Sequence, residues 1–219
     1  MQNLRRLGVI GDVHTEARAL DAALDFLRSR GVDAIACVGD IVDGPGDPDA
    51  CCDRLQERGV LTVAGNHERW LLSGGGPPLP DATPNISEAS RAFLSALPLT
   101  LTLESAAGPL LLCHGVGEDD MALLRSDTKG YALHGVPTLR DLMLDPAVEY
   151  MIGGHTHQRM VRSFHGLTVV NAGTLHRDDD PCFLEVDFEA MRIRVFGFSE
   201  GEIVPLEEIP LPAPPPVSG

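Results

Sequence analysis

Five short apolar runs in this chain end on Gly or Cys, and each is followed at once by side chains able to hold a metal ion. Leu7 to Gly11 leads into Asp12 and His14, and Ala34 to Gly39 into Asp40. Leu61 to Gly65 leads into Asn66, His67 and Glu68, Leu110 to Cys113 into His114, and Tyr150 to Gly154 into His155 and His157. Mixed Asp, Asn and His donors suit Mn²⁺, Fe, Co²⁺ or Zn²⁺ better than Ca²⁺. Six or seven such donors exceed the needs of one tetrahedral ion. They match two ions bridged by a carboxylate, about 3.5–4 Å apart.

Donors spread this widely meet only if the fold gathers them. Short aliphatic runs read as buried strands, and open α/β sheets bind ligands just beyond the carboxyl ends of their strands. One layout repeated five times therefore predicts a single cluster on a sheet rim. Asp12 and His14 are separated by one residue, and a turn there lets both converge on one ion. A turn after each run is required, and His155-Thr156-His157 poses the same demand. The Gly residues at these junctions permit it, tolerating backbone angles and close approaches that a side chain would block.

Between the runs, Glu16 to Arg30 reads as a helix with Leu20, Leu24 and Leu27 inward and Gly31 as its C-cap. Asp49 to Arg58 reads as a second helix, and Ser87 caps a third that reaches Ala96 with Phe93, Leu94 and Leu97 inward. Ser73 to Pro80 is too rich in Gly and Pro for regular structure. The later half favours strands at Leu99–Leu103, Leu110–Cys113, Glu149–Ile152, Leu167–Val170, Phe183–Phe188 and Met191–Phe198, with a helix near Thr138–Leu144. Strand–helix–strand units imply parallel crossovers. The expected fold class is α/β: a four-layer α/β/β/α sandwich of two mixed sheets, with the metal site at the carboxyl ends of its strands. Residues 1–210 form its one domain, and the proline-rich residues 211–219 form a disordered tail.

Composition narrows the partners. Net charge is −15, and Lys129 is the only lysine among 17 basic residues. Such a surface repels long polyanions, which excludes tight binding of duplex nucleic acid. A small phosphorylated substrate remains compatible, because it binds the cations themselves. No run approaches the ~18 apolar residues of a membrane span, and Met1 to Arg6 contains no signal core, so a cytoplasmic protein is expected. Cys37, Cys51, Cys52, Cys113 and Cys182 form no Cys-x-x-Cys pair and read as reduced, buried thiols.

The blocks Gly11-Asp12-Val13-His14, Gly39-Asp40-Ile41-Val42-Asp43-Gly44, Gly65-Asn66-His67-Glu68, His114-Gly115 and Gly154-His155-Thr156-His157 resemble, in order, the motifs of the calcineurin-like metallophosphoesterase superfamily. Size and the segment Val170 to Thr174 resemble its small bacterial and archaeal phosphodiesterase branch, although Ala172 stands where that branch carries Pro. The resemblance implies that Asp12, His14 and His157 hold one ion, Asn66, His114 and His155 the other, and Asp40 bridges them. It implies two divalent cations, Mn²⁺ first, with Fe, Zn²⁺, Co²⁺ or Ni²⁺ as alternatives. It further implies that His67 is catalytic, aiding an in-line attack on phosphorus by a metal-bridging hydroxide. Asp43 and Glu68 are expected to support the ligands, and Arg69 to contact a substrate phosphate.

Relatives acting as protein phosphatases carry Arg where Gly44 stands. Its absence favours small, nucleotide-derived phosphodiesters over the alternatives, a phosphomonoesterase (a protein or nucleotide phosphatase) or a non-catalytic metal-binding scaffold. Trp70 reads as a packing residue, His134, His165 and His176 as loop histidines, and Asp119-Asp120 and Asp178 to Asp180 as solvated acidic loops. Specificity is assigned to residues 73–86 and 115–138, which carry no motif.

Overall fold

Apolar residues alternate along the strands with a period of two, and the computed structural model, which describes residues 3–216, turns that alternation into layers. The first sheet contains β1 (Arg6–Ile10), β2 (Ala34–Cys37), β3 (Leu61–Thr62), β9 (Cys182–Asp187), β10 (Arg192–Ser199) and β11 (Glu202–Pro210) in the order β11-β10-β9-β1-β2-β3. The second contains β4 (Thr100–Ser105), β5 (Gly108–Cys113), β6 (Tyr150–Gly153), β7 (Met160–Phe164) and β8 (Leu167–Asn171) in the order β4-β5-β6-β8-β7. Both are mixed: β1 runs parallel to β2 and antiparallel to β9, while β6 runs parallel to β5 and β8.

Alternate residues of one strand serve different cores. Leu7 and Val9 of β1 and Leu110 and Leu112 of β5 meet in one buried cluster between the sheets. Ile10, Ile35 and Cys37 point the other way, into a cluster with Leu20, Leu24 and Leu27 of α1 (Ala17–Ser29) and Leu55 of α2 (Pro48–Glu57). On the far side, Leu111, Cys113 and Met151 pack with Leu139 of α5 (Pro137–Leu144). Helices, two facing sheets and helices again make up the four-layer α/β/β/α sandwich. The other helices are α3 (Asn66–Ser73), α4 (Glu88–Ser95) and a 3-10 turn at Gly130–Gly135.

Four of the described elements escaped the sequence reading: α3, β7, β11 and the 3-10 turn at Gly130–Gly135. Helix α3 begins inside a block read for its chemistry, and its start is secured by Glu68, whose carboxylate accepts the Gly65 N–H at 2.8 Å, half of a capping box. Strands β7 and β11 are sheet edges with few buried positions, so their alternation is faint. The expectation of a disordered tail from residue 211 is corrected for 211–216. Leu211 is buried in the inter-sheet core, and its N–H donates to Met191 O at 3.0 Å. Prolines have no N–H to give, but their carbonyls still accept. Thr168 Oγ1 donates to Pro212 O at 3.0 Å and the Gly166 N–H to Pro215 O at 2.7 Å. Residues 217–219 lie outside the described residues.

Candidate metal centre

Each implicated side chain follows a strand end directly. Asp12 and His14 lie just past β1, Asp40 past β2, Asn66 past β3, His114 past β5, and His155 and His157 past β6. The turns required after the runs are present as left-handed backbone: φ is 39° at Asp12, 44° at His14, 49° at Asp40, 71° at His155 and 57° at His157. Non-glycine residues adopt such angles reluctantly, and clusters of them mark sites where geometry is imposed by the surroundings. Two motif glycines are fixed by proximity to the site itself. A Cβ at Gly65 would lie 2.2 Å from Asp40 Oδ1, and one at Gly154 would lie 2.3 Å from Asp12 Oδ2.

The donors form two adjoining groups. In the first, His14 Nε2 and His157 Nε2 are 3.0 Å apart, and His157 Nε2 is 3.7 Å from Asp12 Oδ1. In the second, His114 Nε2 lies 3.0 Å from Asn66 Oδ1 and 3.1 Å from Asp40 Oδ2, with the ring of His155 at 5.1 Å. Asp40 Oδ2 is also 4.0 Å from His14 Nε2, which puts this oxygen between the groups. Ligand atoms of Asp12, His14 and His157, and likewise of Asp40, His114 and His155, lie within 4.8 Å of one another.

Proton bookkeeping shows that this cluster suits a cation. His14 Nδ1 is 2.8 Å from Asp43 O, and His114 Nδ1 is 2.7 Å from Val38 O. A carbonyl only accepts, so each Nδ1 carries a proton and Nε2 is the ring atom turned toward the other donors. His157 Nδ1 likewise donates to Asp179 Oδ2 at 2.6 Å, which leaves its Nε2 facing His14 Nε2. His155 Nε2 is buried with no hydrogen-bond partner. Crowded, buried acceptor atoms are costly unless a proton or a cation lies between them.

In the metal-free chain these groups shift one another's ionisation. Burial raises the Asp12 carboxyl to about 8, with nearby imidazoles only partly offsetting it. Burial lowers His14 to about 4, and the neighbouring His157 and His67 add to the effect. Burial would lower His114, but the adjacent Asp40 carboxylate raises it to about 10. Burial pulls Asp40 upward, yet His114, His67 and His14 outweigh it and hold it below the usual carboxylate range.

His67 adjoins the donors, its ligand atom within 4.8 Å of those of His14 and Asp40, on the wall of a cleft of about 300 Å³ shared with His14, His157, Leu79, Pro80 and Asp81. Its Nε2 is 3.8 Å from Asp40 Oδ2, and its Nδ1 is 2.8 Å from Asp43 Oδ2. Burial opposes protonation of His67, but Asp43 and Asp40 override it and raise the imidazole. Glu68 is fully buried and gathers the N–H groups of Asp40, Ile41, Val42 and Gly65 at 2.7–3.2 Å, holding the loop that presents Asp40. Arg69, expected at a substrate phosphate, instead forms a two-pronged pair with Asp120 at 2.6 and 2.8 Å. Trp70 stacks obliquely on His67, ring centres 4.8 Å apart.

Sequence reading missed His176 and Asp179. His176 was read as a loop histidine, yet its ring lies 5.4 Å from that of His14, and Asp179 contacts His157 directly. Both sit in the loop between β8 and β9, and no pattern tied that loop to the centre. Asn171 and Thr174 also brace the site. Asn171 Nδ2 donates to Gly154 O, and Thr174 Oγ1 to Asp12 O at 2.7 Å.

The fold and this cluster define a metallophosphoesterase-type α/β sandwich. The chain belongs to the calcineurin-like phosphoesterase superfamily, whose domain model matches residues 6–191. It is 23% identical over 194 residues to an uncharacterized protein of Methanocaldococcus jannaschii, covering 81% of this chain and 73% of that one. A metallophosphoesterase from Sphaerobacter thermophilus superposes with a TM-score of 0.65 at 20% identity, over 90% of this chain and 89% of that chain. A hypothetical protein from Pyrococcus horikoshii superposes with a TM-score of 0.69 at 15% identity, over 89% and 88%.

Proposed function

We propose that this protein is a metal-dependent phosphoric ester hydrolase acting on small phosphodiesters, nucleotide derivatives foremost. The observation that carries the reading is the convergence of His14, His157 and His114 Nε2 atoms around the Asp12 and Asp40 carboxylates. Asp12, His14 and His157 would hold one divalent ion and Asn66, His114 and His155 a second, with Asp40 bridging and Mn²⁺ the first candidate. Bound there, the ions would neutralise phosphate charge and make water a nucleophile near neutral pH. His67 supplies the proton: Asp43 holds its Nδ1, its imidazolium form is favoured, and its Nε2–H faces the cleft where a leaving oxygen would depart.

Preference for diesters rests on what surrounds the centre. A monoester carries one more negative charge, which a cationic side chain beside the ions would balance. Gly44 stands at the position where such an Arg would emerge, and a Cβ there would lie 2.1 Å from His14 O. Nearby guanidinium groups are already engaged, Arg69 with Asp120, Arg159 with Asp180 and Arg177 with Glu16. Five buried free thiols suit a reducing compartment, in keeping with a cytoplasmic enzyme.

The test is hydrolysis of bis-p-nitrophenyl phosphate by metal-stripped protein with added Mn²⁺, beside p-nitrophenyl phosphate and the His67→Ala variant. Diester turnover that requires Mn²⁺, exceeds monoester turnover and falls by about 10²–10⁴-fold in the variant is expected. Faster monoester cleavage would replace the diester reading with a phosphatase. Metal binding without turnover of either ester would mean a scaffold.

A further inference from the structure

We infer that Asp179, on the loop between β8 and β9, is a positioning residue that sets the strength of the ion site formed by Asp12, His14 and His157. The inference rests on the metal reading above and goes beyond it to a residue outside every motif block.

The histidines of the centre are held in different ways. His14 and His114 give their Nδ1 protons to main-chain carbonyls, Asp43 O and Val38 O, which no substitution removes. Of these three ligand histidines, His157 is the one that gives its Nδ1 proton to a side chain, the Asp179 carboxylate at 2.6 Å. A carboxylate partner does more than a carbonyl. It fixes the tautomer with Nε2 bare, orients the ring, and makes that nitrogen a stronger donor to a cation. The same Asp179 oxygen lies 3.4 Å from His176 Nδ1, which makes no hydrogen bond. Asp179 therefore reaches both rings on this side of the centre, and its one short bond goes to the ligand histidine. His157 needs such a tether, since its side chain keeps 29% of its exposure whereas His14 keeps 5%. The consequence is an asymmetric pair of sites. The ion beside Asn66 and His114 rests on buried, main-chain-anchored groups, and the ion beside His157 rests on a loop carboxylate.

The experiment is Mn²⁺ titration of metal-stripped full-length protein by calorimetry, with bound Mn²⁺ counted after desalting, for wild type, Asp179→Asn, Asp179→Ala and Asp179→Glu. Wild type is expected to bind two ions. Both Asn and Ala variants should weaken one of the two by about 10–100-fold while leaving the other unchanged, the usual effect of removing an outer carboxylate from a ligand histidine. Glu should restore part of the loss. Thermal melting of the metal-free variants, unchanged from wild type, separates this from misfolding. Two ions bound as tightly in Asp179→Ala as in wild type would overturn the role of Asp179 and leave the metal reading standing. Equal weakening of both ions would overturn it too. Absence of Mn²⁺ binding by wild type would overturn both.

Discussion

Asp43 links His67 to the glycine-rich segment beside the site. Its Oδ2 accepts the His67 Nδ1 proton at 2.8 Å, and its Oδ1 accepts the Thr83 backbone N–H at 2.6 Å. Thr83 Oγ1 in turn accepts the Asp43 N–H at 2.9 Å, so loop and carboxylate hold each other. Replacing Asp43 with Ala frees the His67 ring but spares the Asp43 carbonyl that anchors His14. Turnover should fall by about 10–100-fold with ion content unchanged, as for other outer partners of functional histidines. Steady-state kinetics together with metal analysis check this, and an Asp43→Ala enzyme of normal turnover would remove His67 orientation from the account.

Metal removal should loosen the fold as well as stop catalysis. In the metal-free chain His14 and His157 must either share a proton or face each other with bare Nε2 atoms at 3.0 Å, and burial holds a proton on Asp12 up to about pH 8. A cation relieves both. An ion present at 100 times its dissociation constant adds about 2.7 kcal/mol to stability. For a chain of this size that corresponds to about 5–10 °C in Tm. Melting with EDTA and then with excess Mn²⁺ measures the difference, and identical curves would argue against any ion in this cluster.

The motif glycines lend themselves to a sharper test, because their role is spatial. Gly65→Ala would drive a methyl into Asp40 Oδ1, and Gly154→Ala would drive one into Asp12 Oδ2. Each should impair ion binding, Gly65→Ala at both sites because Asp40 lies between them, and Gly154→Ala chiefly at the Asp12 site. Gly135→Ala meets nothing within 4 Å and serves as the control. Manganese titration of the three variants should separate them, and full binding by Gly65→Ala would contradict the bridging place assigned to Asp40.

Legibility in the sequence followed contact order and burial. Asp12, Asp40, Asn66, His114 and His155 were readable because each directly follows a buried strand whose apolar run announces it. Helices α1 and α4 were readable from their inward leucines and, at α4, from Ser87, which does cap it by accepting the Ser90 N–H. Asp179 was not readable: it reaches His157 from 22 residues away through a loop with no periodicity. Nor was the docking of Leu211, whose lone apolar side chain in a proline-rich run gives no pattern to detect. Arg69 had the right type for a phosphate contact, but its pairing with Asp120, 51 residues on, depends on how a motif-free loop folds back.

One charged group far from the centre yields a prediction about pH. Glu185 on β9 is fully buried, yet three arginines converge on it: Arg6 at 2.7 Å, Arg194 at 2.6 Å and Arg30 in close contact. Burial alone would raise its carboxyl, but the hydrogen bonds and charges of Arg30 and Arg6 prevail and hold it below the ordinary 4.5. A carboxyl whose folded value is depressed contributes stability that is full above its unfolded value and is lost as pH falls through the folded one. Stability should therefore be independent of Glu185 ionisation near pH 7 and decline below about pH 4.5. Glu185→Gln leaves three guanidinium groups around a neutral amide. Breaking a fully buried pair costs about 3–5 kcal/mol; these arginines keep contact with water, so about 2–3 kcal/mol is expected at pH 7. Because the wild-type carboxylate is itself neutralised in acid, the gap between wild type and Glu185→Gln should stay constant from pH 7 to about pH 4.5 and narrow below it. Urea denaturation of metal-free protein on both sides of that value isolates the effect from the metal ligands, and a gap that stays constant below it as well would mean that Glu185 acts through shape rather than charge.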